Sequence, residues 1–425
     1  MRFVRAAFVA CLMGTAATIA VIAPLSPAIA AKASGPTVSP AVGKLLQPAQ
    51  AAMQANDFAG ALALIKQAQA LPDQTPFDTY TINNFLANAS IALKDYDTAD
   101  AAYEAMADSP ALPDAEKGPT LHNATLLAGQ AKHYDKVIKY GTAFNALGGP
   151  ADPNIIAAMA QSYYFTNDFA NAEAMAQKAI DATPAGQPPN RGALEIMMGA
   201  QIKAKQQDQA AATLEKIVTY YDDPDEWGQV IDFSLGVKGI KDIEAVHVYR
   251  LRMATKATGQ PDDYTVAAAL ALSVGYPVEA EAILQAGLDS GKITKSGKVA
   301  QQFAEVSNRA AIDRKTIASF DATARKSPAG EFDLKLAETY IGYSRYADAA
   351  DAARRALQKG GAKADPNEAN MVLGEALVMQ GDTAGADAAF NAVKNPSPGM
   401  AKAQHLWLLY ANRKTATAAA APAAH

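Results

Sequence analysis

A small or aliphatic residue recurs along this chain at a nearly constant interval. It stands at Ala61, Ala99, Val137, Ala172, Ala210, Ala245, Ala280, Thr316, Ala349 and Ala386, with steps of 33 to 38 residues. Self-similarity at a period of this size marks an array of supersecondary units, each unable to bury its apolar face alone and therefore stacked on its neighbours. Four residues after each anchor stand Ile65, Tyr103, Gly141, Ala176, Leu214, Tyr249, Leu284, Phe320, Ala353 and Phe390. One helical turn separates the two sets, so each pair shares a face. Three residues before the anchor, five positions are aromatic: Phe58, Tyr96, Tyr134, Phe169 and Tyr346.

The stretch Pro153 to Pro184 shows one period in full. Ile156, Met159, Ala160 and Tyr163 form one apolar stripe at helical spacing, and Ala172, Met175, Ala176 and Ala179 form a second. Between them lies the polar break Thr166-Asn167-Asp168, and Pro184 ends the unit. This predicts two helices joined by a tight turn. Breakers recur between units, among them Pro110 to Pro113, Gly148 to Pro150, Pro224, Pro328 and Gly360-Gly361. The 50% hydrophobic content with only 7% aromatics reflects abundant alanine, which favours helix and close helix approach.

Small Ala160, aromatic Tyr163, the turn aromatic Phe169, then Ala172, Ala179 and Pro184 resemble the tetratricopeptide repeat (TPR). The resemblance implies an all-α solenoid of about ten helix-turn-helix repeats wound into a right-handed superhelix. It is strong around Asp57-Phe58, Asp95-Tyr96, Asp168-Phe169 and Arg345-Tyr346, and in the pair Gly374 and Phe390. It is degraded at Gly141, where bulk is usual, and weak where Gln207, Asp242, Pro277 and Asp313 replace the turn aromatic. The expected organisation is N-terminal TPR-like repeats over 42–190, degenerate helical repeats over 191–329, C-terminal TPR-like repeats over 330–400 and a capping helix over 401–413, before a disordered tail over 414–425.

Arg2 and Arg5 followed by the apolar run Ala6 to Val21 and the small-residue site Ala28-Ile29-Ala30 read as an export signal over 1–30, cleaved after Ala30. Residues 31–41 follow as a flexible lead. The expected location is the bacterial periplasm. The single cysteine, Cys11, falls inside the signal, leaving no thiol for a disulfide or thiolate metal site. Loss of Arg2 and Arg5 takes the formal charge from −5 to −7, with no basic footprint for nucleic acid.

The five histidines, His122, His133, His247, His405 and His425, show no metal-binding spacing and read as helix-surface residues. No phosphate loop or nucleophile elbow is present. The expectation is a non-enzyme without cofactor or metal. Tyr164 and Phe165 follow Tyr163 directly, and three consecutive aromatics cannot all face one core. By the TPR resemblance they fall where that family lines its concave groove; packing on the neighbouring hairpin is the other reading. Tyr220, Tyr221 and Trp227 lie among Asp222, Asp223, Asp225 and Glu226, either as a recognition site for a basic or sugar ligand or as a connector's staple. Asn84, Asn88 and Asn123 lie near positions that clamp a peptide carboxylate in TPR proteins, but the paired lysines are missing, so no carboxylate clamp is expected.

The function this implies is a protein-protein interaction scaffold of the cell envelope, binding a protein or peptide partner through the concave face. Its candidate contacts are Asn84, Asn88, Asn123, Gln161, Tyr164, Phe165 and Trp227. A glycan-binding or cell-wall-processing superhelix and a self-assembling structural protein are the alternatives.

Overall fold

The computed structural model describes residues 36–235 and 239–419, with side chains described as far as Arg413. The export signal, the lead as far as residue 35 and the tail from residue 420 lie outside them. The described residues form twenty α-helices and no strand. The chain divides into two compact units, one ending at Ala210 and one beginning at Ala211.

The first unit is built from consecutive hairpins. These are α1 (Pro40–Gln54) with α2 (Phe58–Gln69), and α3 (Pro76–Ala92) with α4 (Tyr96–Ala107). Then come α5 (Lys117–Gln130) with α6 (Tyr134–Ala146), and α7 (Pro153–Phe165) with α8 (Phe169–Asp181). Helix α9 (Arg191–Lys203) follows, and α10 (Gln207–Tyr220) runs across the boundary. Each second helix packs on the first helix of the next hairpin, and the first helices also meet directly, α1 on α3, α5 on α7 and α7 on α9. That nearest-neighbour stacking is the TPR-like arrangement.

One local device makes the turns alike. The residue two places before the second helix adopts a left-handed conformation at Asn56, Lys94, Lys132, Asn167 and Lys205, and in the second unit at Gly275, Ser344 and Gly381. The next N–H then reaches back to a carbonyl five residues earlier, as from Asp57 to Ala52 and from Asp168 to Tyr163. This closes the helix end that would otherwise expose its last carbonyls. Asp57, Asp95, Asp168 and Asp382 then cap the following helix by accepting its free N–H groups.

Nine of the ten anchors open the second helix of a hairpin, and all nine are buried. The tenth, Thr316, is different. It lies exposed within α15 (Gly297–Lys326), one continuous helix of 30 residues. No proline or glycine interrupts the sequence after Gly297 until Pro328, and good helix formers fill the position of the expected turn at Asp313. The degraded third repeat is compensated: a Cβ at Gly141 would lie 2.7 Å from Met159 Sδ, so a side chain from the next hairpin fills the space.

The second unit contains α11 (Pro224–Leu235), α12 (Asp242–Ala254), α13 (Pro261–Ser273), α14 (Pro277–Asp289), α15, α16 (Glu331–Gly342) and α17 (Tyr346–Lys359). It ends with α18 (Pro366–Gln380), α19 (Thr383–Asn391) and α20 (Pro398–Ala419). Because α15 stands where a hairpin is expected, one helix drops out of the alternation. As a result α14, a second helix, lies against the first helix α16, which lies against α18. Gly342 permits this approach, since a Cβ there would meet the Glu279 Cβ at 2.7 Å. Helix α20 packs on α11, α12, α18 and α19, so this unit returns to its own start. Its core joins Trp227, Phe390, Trp407 and Tyr410.

Gly374 on α18 marks the tightest contact of the last hairpin. An added Cβ would sit 2.3 Å from the ring of Phe390, which is fully buried and has no room to withdraw. Gly374→Ala is expected to cost about 1–3 kcal/mol by overpacking, read as a lowered urea midpoint with unchanged slope.

Candidate functional site

In the first unit, half-buried polar side chains gather on successive first helices. On α3, Asn88 Nδ2 donates to the Asn84 carbonyl at 2.7 Å and to Asn84 Oδ1 at 3.0 Å. The spacing of four residues places both amides on one face. The Tyr80 hydroxyl, one turn earlier, lies near Asn84 and Thr120 of α5; burial raises its pKa, and Glu116 adds to the effect. On α5, Asn123 Nδ2 donates to the Tyr103 hydroxyl at 3.1 Å. Beside it His122 lies 3.0 Å from Asp152 Oδ2, the cap of α7, and its ring edge meets Phe144. A line of amide, phenol and imidazole groups thus runs from α3 across α5 to the start of α7.

The structure brings Asn84, Asn88 and Asn123 into this line. Gln161 is half-buried further along, on α7. Tyr164 is half-buried, its ring edge-on to Phe165 and Phe169. Phe165 stacks on Tyr134 of the preceding hairpin, with ring centroids 4.8 Å apart and planes at 17°, yet stays 42% exposed. It therefore packs on the neighbouring hairpin and still presents an edge to solvent. Trp227 belongs elsewhere. It is fully buried in the second unit, edge-on to Tyr410 at 5.9 Å, so its indole is a core staple with no surface to offer a ligand.

The second unit holds a group of charged side chains that the sequence reading passed over. His247, read as a helix-surface residue, is completely buried. Its Nδ1 lies 2.6 Å from Glu375 Oε1 and its Nε2 2.8 Å from Glu368 Oε1. One turn along α12, Arg250 grips Glu279 with two bonds of 2.8 Å and reaches Glu375 Oε2 at 3.1 Å. Tyr276, at the cap of α14, donates its hydroxyl to Glu338 of α16, and the Glu368 carboxylate acts on Glu338 from α18. Lys335 stands at the rim, 3.8 Å from Glu338, and donates to the Val274 carbonyl. Trp407 of α20 lies behind His247, its indole N–H on the His247 carbonyl at 3.0 Å.

The electrostatics follow from this geometry. Burial alone would strip the proton from His247, but Glu368 and Glu375 outweigh it and hold the pKa up at about 10. Burial likewise disfavours charged Arg250, and Glu279 and Glu375 reverse the effect. Burial raises Glu338 to about 7, with the Glu368 charge adding to it. Glu368 itself is held below the usual range, because His247 overcomes its burial. Burial lowers the pKa of Lys335. One sequence signal does point to this hub. In α18 the run from Glu368 to Val378 is apolar on nearly every face and wholly buried, so Glu368 and Glu375, two turns apart, have nowhere to go but inside.

Among the described residues no group of three or more His, Cys, Asp or Glu side chains is arranged to hold a metal ion. None of their helices is long and apolar enough to cross a membrane.

No protein-family model matches the chain, and no curated protein matches it. Solved structures do. A tetratricopeptide repeat protein from Parabacteroides merdae is 12% identical over 63% of this chain and 100% of its own, with a TM-score of 0.32. A structure of Naa15/Naa10 bound to HypK-THB is 14% identical over 83% of this chain and 58% of its own, with a TM-score of 0.34. The C-terminal part of a TPR repeat-containing protein from Cytophaga hutchinsonii is 15% identical over 65% of this chain and 97% of its own, with a TM-score of 0.26. The TPR-like assignment rests on this chain's own hairpins, whose turns, anchors and stacking repeat as described.

Proposed function

We propose that the protein is a non-catalytic interaction scaffold of the bacterial cell envelope, exported by its N-terminal signal, which holds an extended segment of a protein partner against the first helices of its first unit. The observation that carries this reading is the amide line Asn84, Asn88 and Asn123 on two successive first helices. An asparagine amide offers a donor and an acceptor together, which suits the alternating N–H and C=O groups of an extended backbone. Tyr164 and the exposed edge of Phe165 supply apolar contact further along.

The test is in-cell crosslinking of the mature protein beside an Asn84→Ala/Asn88→Ala/Asn123→Ala variant, with mass spectrometry of what is captured. The wild type is expected to capture a reproducible set of envelope proteins. The variant is expected to lose them while unfolding within about 2 kcal/mol of the wild type, the scale of the few hydrogen bonds removed. Recovery of only its own chain by the wild type overturns the scaffold reading. Equal capture by both proteins moves the site off this face.

A further inference from the structure

Helices α12 and α18 are more than a hundred residues apart in sequence, yet buried side chains join them at separations of 121, 125 and 128 residues. With α14 and α16 they form a ring of four helices around the charged hub. Four carboxylates enter it: Glu279, Glu338, Glu368 and Glu375. Among the described residues, two buried cations face them, His247 and Arg250, with the Lys335 ammonium at the rim, its side chain 41% exposed.

Glu338 meets a charged or titratable group from every side. Tyr276 and Glu279 come from the α14 side, Glu368 and Glu375 from α18, His247 and Arg250 from α12, and Lys335 from its own helix. Beyond Lys335, Asp313 of α15 acts on the ammonium. Within this frame Glu338 accepts a hydrogen bond from the Tyr276 hydroxyl and stands beside the Glu368 carboxylate, whose charge disfavours a second negative charge. Two ionised carboxylates side by side repel, whereas a neutral acid can donate to one partner while accepting from another. Charge balance agrees. With one proton on Glu338, three carboxylates face three cations; without it, a buried negative charge goes uncompensated.

We propose that Glu338 and Glu368 form a proton-binding site, and that closing the helix ring of the second unit stores one proton there, making the closed ring a pH-responsive element. The direction is fixed by linkage. An unfolded chain releases the Glu338 proton near its ordinary value of 4.5, whereas the folded unit keeps it to about 7. Over that window the folded state binds the extra proton, so stability falls as pH rises and levels off above it. His247 acts in the same sense at higher pH. Its contribution is complete below 6.5 and is lost as pH climbs to about 10.

The two tryptophans of the chain, Trp227 and Trp407, both lie in the second unit, so tryptophan fluorescence, excited selectively, follows this unit alone. Urea unfolding by fluorescence between pH 5 and 8 should show the wild type taking up about one proton more on folding near pH 6 than E338Q does. The glutamine keeps a donor for Glu368 and an acceptor for Tyr276 but cannot titrate. Equal proton uptake in the two proteins overturns the proposal. Infrared spectra of the wild type give a second reading that needs no variant to fold. A protonated-carboxyl band present at pH 6 and gone by pH 9 is expected, and its absence at pH 6 overturns the proposal too.

Discussion

Arg250→Ala is expected to destabilise the second unit by about 3–5 kcal/mol, because it leaves buried carboxylates without their cation. Arg250 makes two parallel bonds to Glu279 and a third to Glu375, and all three residues are almost wholly inside. Removing it strips compensation from two helices at once, α14 and α18. Arg250→Lys keeps the charge but cannot present the planar fork, so it should recover only part of the loss. Urea unfolding followed by tryptophan fluorescence reads both variants. A loss below about 1 kcal/mol for the alanine would show that the carboxylates find water or protons instead.

Trp227→Ala is the second large effect, expected at about 3–5 kcal/mol for a fully buried tryptophan. The same residue was a candidate ligand contact on sequence, so the measurement separates two roles. A core staple costs stability, whereas a surface platform costs little. The indole is completely enclosed among Val230, Ile231 and Tyr410, which favours the large cost. Far-UV circular dichroism during urea unfolding measures it without relying on the lost fluorophore. Phe165→Ala is the contrast: at 42% exposed with one stacked partner, it should cost less than half as much.

The hairpin array was legible because its signals are local and repeated. Alanine at the helix contact, an aromatic one turn away and a polar break between them each act within a few residues, and nine anchors fall where the period places them. The turns were only partly legible. Lys94, Lys132, Lys205 and Ser344 hold left-handed backbone that glycine or asparagine would have announced, and nothing in a lysine advertises that conformation. Thr316 misled because spacing alone does not make a turn; the residues around it have no reason to leave a helix. The polar line of the first unit was half visible. Asn84, Asn88 and Asn123 were singled out, while Tyr80, Tyr103 and Asp152 were not, because their roles depend on contacts between hairpins. His247 was misplaced for the same reason. Its partners lie 121 and 128 residues away, beyond the reach of any spacing rule.

Those long separations also bear on the order in which the chain folds. In the first unit almost every contact lies within a hairpin or with the next one, so stable structure can accumulate from the N-terminal side as the chain emerges. The second unit has no such gradual route. His247 waits for Glu368 and Glu375, and its carbonyl waits for the indole of Trp407. Until α18 and α20 have been made, α12 carries a histidine without its two carboxylates, an arginine paired with Glu279 alone, and an apolar face without Trp407 to cover it. A chain stopped short of Trp407 should therefore carry a finished first unit and an unclosed second one, the kind of exposed intermediate that proteases and chaperones recognise.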